Sequence, residues 1–216
     1  MNYSMIKNIA VFRNSLLLLL LFVNFVAHAA KVDTVLVHSA AMNKDIKVVV
    51  VVPQIEGPHP VAYLLHGYGG NEKTWFAIRP DLAQLADRYQ MMFVCPNCES
   101  SWYWDSPKDP SYRYETFISS ELVNYTDTHY AAIPEKRGRA ITGLSMGGHG
   151  ALFLAMRHKD MFGACGSMSG GVDIRPFPQN WNIPDVLGEM SANKQSWDEH
   201  TVVGQLGRIK NGDLRI

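Results

Sequence analysis

The chain has 216 residues, of which 47% are hydrophobic and 19% charged, with 20 basic and 20 acidic side chains and a formal net charge of +0. That is the composition of a globular chain of one domain or little more, not of a disordered or fibrous one. Balanced, unclustered charge gives no electrostatic ground for a nucleic acid or an anionic membrane as partner.

The first thirty residues differ from the rest. Lys7 and Arg13 precede an unbroken apolar run from Leu16 to Val23, and the segment ends Ala27-His28-Ala29-Ala30. A basic start, a short apolar stretch and an Ala-x-Ala end are the layout of a secretory signal peptide. A membrane span needs about 20 apolar residues, more than this run offers. Residues 1–29 therefore read as a signal peptide cleaved after Ala29, with an uncleaved anchor as the competing reading. Residues 30–216 are then the folded domain, secreted or periplasmic, with no membrane partner after cleavage.

Along that domain, Val32 to His38 and the β-branched run Ile46 to Val52 flank the turn Met42-Asn43-Lys44-Asp45, which predicts a hairpin. Val61 to Leu65 is wholly apolar, as strands buried on both faces are. His66-Gly67-Tyr68-Gly69-Gly70 follows as a loop. Helical spacing marks 80–89, a second apolar strand covers 91–94, and a longer helix is predicted over 112–130. Residues 139–144 read as a strand, 146–158 as a helix, 164–168 as a strand and 202–209 as a helix. Asp213-Leu214-Arg215-Ile216 reads as the beginning of one more strand. Alternating strands and helices predict an α/β fold, a mostly parallel sheet with helices on both faces and an antiparallel hairpin at its amino end.

Three cysteines remain. Cys95-Pro96-Asn97-Cys98 has the spacing of a redox or metal pair, but a zinc site would need two further ligands that the sequence does not supply in pattern. The competing reading is a strand-end and a loop cysteine that lie close together, open to bonding in an oxidising compartment. No metal is expected.

The segment richest in chemistry is Gly143-Leu144-Ser145-Met146-Gly147-Gly148, between a predicted strand and a predicted helix. This is the context of a nucleophile elbow, where a tight turn lifts a serine above the strand ends and glycines two places away remove side chains that would collide. Ser145 is the expected nucleophile. The backbone N–H groups of Met146, after it, and Tyr68, in the His66–Gly70 loop, are the expected donors to an oxyanion. A serine nucleophile needs a base and an orienting acid. Asp173 and His200 are the one pair in suitable order with loop character on both sides. The preferred expectation is instead that acid and base lie beyond Ile216, which would leave this chain weakly active or inactive.

The elbow Gly143-Leu144-Ser145-Met146-Gly147-Gly148-His149-Gly150-Ala151-Leu152 resembles that of the "Putative esterase" family of α/β-hydrolases. Ser101-Trp102-Tyr103-Trp104-Asp105-Ser106-Pro107 and Gly166-Ser167-Met168-Ser169-Gly170-Gly171 resemble two of its later loops. The family includes S-formylglutathione hydrolase (esterase D), tributyrin, acetyl xylan and feruloyl esterases, and mycolyltransferases. The resemblance implies an α/β-hydrolase domain, C-terminally incomplete, that cleaves esters or thioesters through an acyl-enzyme without cofactor or metal. The expected partner is a small-molecule or polysaccharide ester, with acetyl or feruloyl groups as candidates. Trp102, Tyr103 and Trp104, with His66 beside them, serve as a substrate platform in one reading and as packing in the other. A non-catalytic member that binds a glycan or a protein is the alternative function.

Overall fold

The structure, a computed structural model, describes residues 29–216. The expected signal peptide therefore lies outside the described residues, apart from Ala29.

Six strands form one sheet: β1 (Lys31–Ser39), β2 (Lys44–Val52), β3 (Val61–Leu65), β4 (Met92–Pro96), β5 (Arg139–Leu144) and β6 (Ala164–Met168), in the order β1-β2-β4-β3-β5-β6. β1 and β2 form the expected hairpin, in register from Lys31 opposite Val52 to Ser39 opposite Lys44. β2 meets β4 antiparallel, and the β4-β3-β5-β6 block is parallel throughout. Past β6, Arg215 makes one isolated parallel bridge to Ala164, at the position where a further strand was expected.

The helices are α1 (Thr74–Ile78), α2 (Leu82–Tyr89), α3, α4 (Met146–Arg157), α5 (Ile183–Leu187) and α6 (Lys194–Glu199). Three consecutive segments make up α3: Tyr114–Thr116, a π-helical Phe117–Leu122, and Val123–His129. The stretch 203–208, expected to be α-helical, winds as a 3₁₀ helix. Short helices α1, α5 and α6 were not apparent from the sequence. Among the described residues no helix is long and apolar enough to cross a membrane.

Side chains alternate across β3. Val61, Tyr63 and Leu65 join the larger apolar cluster, beneath α3 and α4, while Ala62 and Leu64 join the smaller one, against Trp75, Leu82 and Ala86 of α1 and α2. This period of two buries both faces, which is why the strand reads as continuously apolar. The cysteine pair is divided between the clusters: Cys95, within β4, belongs to the smaller and Cys98, past its end, to the larger. All three cysteines are free and buried. A bond between Cys95 and Cys98 would need their side chains on one side of the sheet.

Candidate active site

β5 leads into Ser145, which adopts φ 55° and ψ −117° before α4 begins. That backbone is unfavourable for a residue with a side chain and persists only where surroundings enforce it. A Cβ at Gly143 would lie closer than 3.0 Å to the Gly147 carbonyl, and one at Gly147 equally close to the Leu65 carbonyl. The two glycines thus let the turn close on itself and seat against the end of β3. On the other side, the Ser145 N–H donates to the Met168 carbonyl at the end of β6 (2.8 Å). Pinned between two strands, Ser145 is exposed at the carboxyl end of the sheet.

The His66–Gly70 loop lies against it. A Cβ at Gly67 would sit 3.6 Å from that of Ser145. Among the described residues, neither the Met146 nor the Tyr68 backbone N–H has an acceptor. Tyr68 is exposed and Met146 is the first residue of α4, where an N–H has no partner within the helix, so both groups are free to donate beside the exposed serine.

His66 does not face a substrate: it is 1% exposed. Its Nδ1 lies 2.8 Å from the Gly67 carbonyl, and its Nε2 accepts the Cys98 N–H at 3.0 Å. Only the neutral imidazole protonated on Nδ1 satisfies both, and burial lowers the pKa in the same sense. His66 fastens the loop to the segment after β4.

Of the two uses weighed for the aromatic trio, the structure shows packing: Trp102, Tyr103 and Trp104 are all buried. Trp102 and Tyr103 both have left-handed backbone, at φ 57° and 63°, which turns them inward. Trp102 stacks on Trp104, with ring centroids 5.4 Å apart. Trp104 Nε1–H donates to His149 Nε2 (2.9 Å), and His149 Nδ1–H donates to the Gly171 carbonyl (2.7 Å). Burial pushes the His149 pKa down to about 4, which keeps the imidazole neutral.

The aromatic surface at this end comes instead from residues missed in the sequence, Phe177 and Trp181, each nearly half exposed. Trp181 packs edge-on against Trp102 (5.3 Å) and Phe177 against Trp181 (5.8 Å). Their neighbour Asn182 donates through Nδ2 to the Ser100 carbonyl, and Ser100 Oγ accepts the Gly69 N–H, so this loop abuts the one carrying Tyr68. Aromatic side chains within a Pro-containing stretch, Phe177-Pro178-Gln179-Asn180-Trp181, were the available sign.

Asp173 and His200 are not brought together. The Asp173 carboxylate takes Arg175 on both oxygens (2.8 and 2.7 Å), and Arg175 also holds Asp198. His200 ends α6, with Nδ1 2.6 Å from the Ser196 carbonyl and its ring stacked on Phe153. The seven described histidines are all engaged away from Ser145: His38 with Asp45, His59 with the Ile55 and Gln90 carbonyls, His129 with Tyr125, His158 with Glu115, and the three above. Among the described residues no histidine or carboxylate side chain bonds the Ser145 hydroxyl, and no cluster suited to a metal occurs.

Residues 39–214 match the family described as "Putative esterase". The chain is similar to the MPT51 antigen of Mycobacterium leprae, 34% identical over 186 residues that cover 85% of this chain and 59% of that protein. It thus spans about three-fifths of the length of that relative. It is also similar to an acetyl esterase of Caldicellulosiruptor saccharolyticus, 37% identical over 101 residues, 46% of this chain and 37% of that one. A solved ferulic acid esterase superposes with a TM-score of 0.67 at 29% identity, over 85% of this chain and 74% of its own. The expected α/β-hydrolase fold is thereby established.

Proposed function

This chain belongs to the family described as "Putative esterase", and on that premise we propose that it is a serine esterase acting through an acyl-enzyme on Ser145. The observation that carries this reading is the strained, exposed serine beside two unpaired backbone N–H groups. Ser145 Oγ attacks the acyl carbon, its proton passing to solvent water and from there to the departing alkoxide, and the Met146 and Tyr68 N–H groups receive the oxyanion. Collapse expels the alcohol, and water then releases the acid. Acetyl or feruloyl groups on polysaccharide are the proposed substrates, supported by relatives named acetyl esterase and ferulic acid esterase. Phe177, Trp181 and Tyr68 are the exposed aromatics available to such a ligand. The signal-like residues 1–29 support a secreted or periplasmic place of action.

The described residues supply a nucleophile and an oxyanion site, but their histidines point elsewhere. Slow turnover is therefore expected of this chain, on the order of 10³–10⁴-fold over water, as when a triad loses a member. The same histidine arrangement favours a second reading, a non-catalytic member that binds a glycan or protein through this rim. A fluorophosphonate probe separates the two. The esterase reading expects one slow adduct on the peptide that holds Ser145, absent from Ser145→Ala; equal labelling of both forms, or none, favours the binding reading.

A further inference from the structure

We propose that Tyr103 is a positioning residue that sets the separation of the two oxyanion donors; this rests on the reading of Ser145, Met146 and Tyr68 given above. The donors ride on different elements. Met146 opens α4, and Tyr68 sits in the loop after β3. Tyr103 touches both. Its ring lies against α4 at Gly150, where an added Cβ would come closer than 3.0 Å to ring atoms. Its hydroxyl donates to the His66 carbonyl (2.8 Å), two residues before Tyr68. A rigid ring with two side-chain torsions therefore spans from the elbow helix to the root of the donor loop.

Three features hold this strut in place. Tyr103 is fully buried. Its own N–H is taken by Ser101 Oγ (3.1 Å), itself buried. Its left-handed backbone, directly after another left-handed residue at Trp102, is what turns the ring beneath α4. Two bulky residues in succession in that conformation are unfavourable and call for a structural reason. Placement of the hydroxyl against the His66 carbonyl supplies one. His66 completes the linkage, since its ring contacts the Gly67 carbonyl and accepts from Cys98. Loss of the hydroxyl leaves α4 packed and frees only the loop donor.

Tyr103→Phe tests this, with p-nitrophenyl acetate as substrate and amide exchange read by mass spectrometry. The expected result is a kcat at least tenfold lower with KM within twofold, since the hole serves the transition state rather than the bound ester. Exchange over residues 66–70 is expected to rise while β5 and α4 keep their protection. Phe162→Leu, whose ring meets Tyr63 edge-on, serves as a control expected to lower stability and leave kcat unchanged. A wild-type kcat in Tyr103→Phe overturns the proposal, as does a loss of protection spread across the whole sheet. If Ser145→Ala hydrolyses the ester as fast as the parent, the nucleophile reading fails by itself. Exchange then decides: loosening confined to residues 66–70 upholds Tyr103 as the strut of the loop, and unchanged exchange there refutes it.

Discussion

The two ends of the parallel strands are held by different physics. At the carboxyl ends, six of the eight non-glycine residues with positive φ among the described residues follow β4, β5 or β6: Glu99, Trp102, Tyr103, Ser145, Ser169 and Trp181. Neutral buried imidazoles tie this end together, His66 through Cys98 and His149 through Trp104. At the amino ends one such residue occurs, Gln90 leading into β4. Ion pairs occur at both ends, with Arg175 holding Asp173 and Asp198 past β6; others tie the helices that flank the sheet. Arg139 meets Asp127, Lys159 meets Asp213 at 3.0 Å, and Glu115 accepts from Arg157 (2.7 Å) and His158 (2.8 Å). Backbone strain and neutral buried imidazoles collect around the proposed nucleophile, while the backbone at the other end is ordinary.

The largest test of this contrast is Gly147→Ala. The new methyl would meet the backbone of β3, which cannot step aside as a flexible side chain could. A loss on the order of 3 kcal/mol or more is expected, measured by urea denaturation. A near-neutral result would mean that the turn is not strained by close approach.

A second test is acidification. His149 has its folded pKa at about 4 against an ordinary 6.5, because burial disfavours its charged form. Between those values the unfolded chain binds a proton that the folded chain refuses. Stability is thus fully present above pH 6.5 and falls as pH drops towards 4, by about 3 kcal/mol from this residue alone. Burial shifts His66 and His200 in the same direction. Urea melts at pH 7 and pH 4, with His149→Gln expected to flatten the difference, check this. A flat profile in the parent would remove the neutral imidazoles from the account.

The smallest effect is expected at the other end. Gln90 occupies a left-handed position at the end of α2, where glycine is at ease. Gln90→Gly is expected to raise stability by about 0.5 kcal/mol, the relief of strain less the added chain entropy. Fluorophosphonate labelling should stay as in the parent. Relief of strain here that changed labelling would blur the distinction between the two ends.

Legibility in the sequence followed the same divide. The parallel strands announced themselves because burial on both faces demands unbroken apolar runs, as in Val61–Leu65. The elbow was legible because close approach admits only glycine at 143 and 147. The aromatic trio resisted, since nothing in Trp102 or Tyr103 signals left-handed backbone, and an inward indole looks the same on paper as an outward one. His66 resisted likewise, its role set by the Cys98 N–H, 32 residues away. Helices of five or six residues, such as α1 and α6, are too short to show a periodic stripe. Pairing of Asp173 with His200 failed because Arg175, two residues from the acid, captures it first.

The placement of Cys95 and Cys98 on opposite sides of the sheet has a consequence for where such a chain can mature. In the folded chain the two thiols are free and sit in different apolar clusters, Cys95 within β4 and Cys98 past its end. Once folded, the pair meets a reducing interior and an oxidising exterior alike as two separate buried thiols. In the unfolded chain nothing holds the two apart, so an oxidising compartment can bond them before β4 forms, and the native state is then reached only after that bond is reduced.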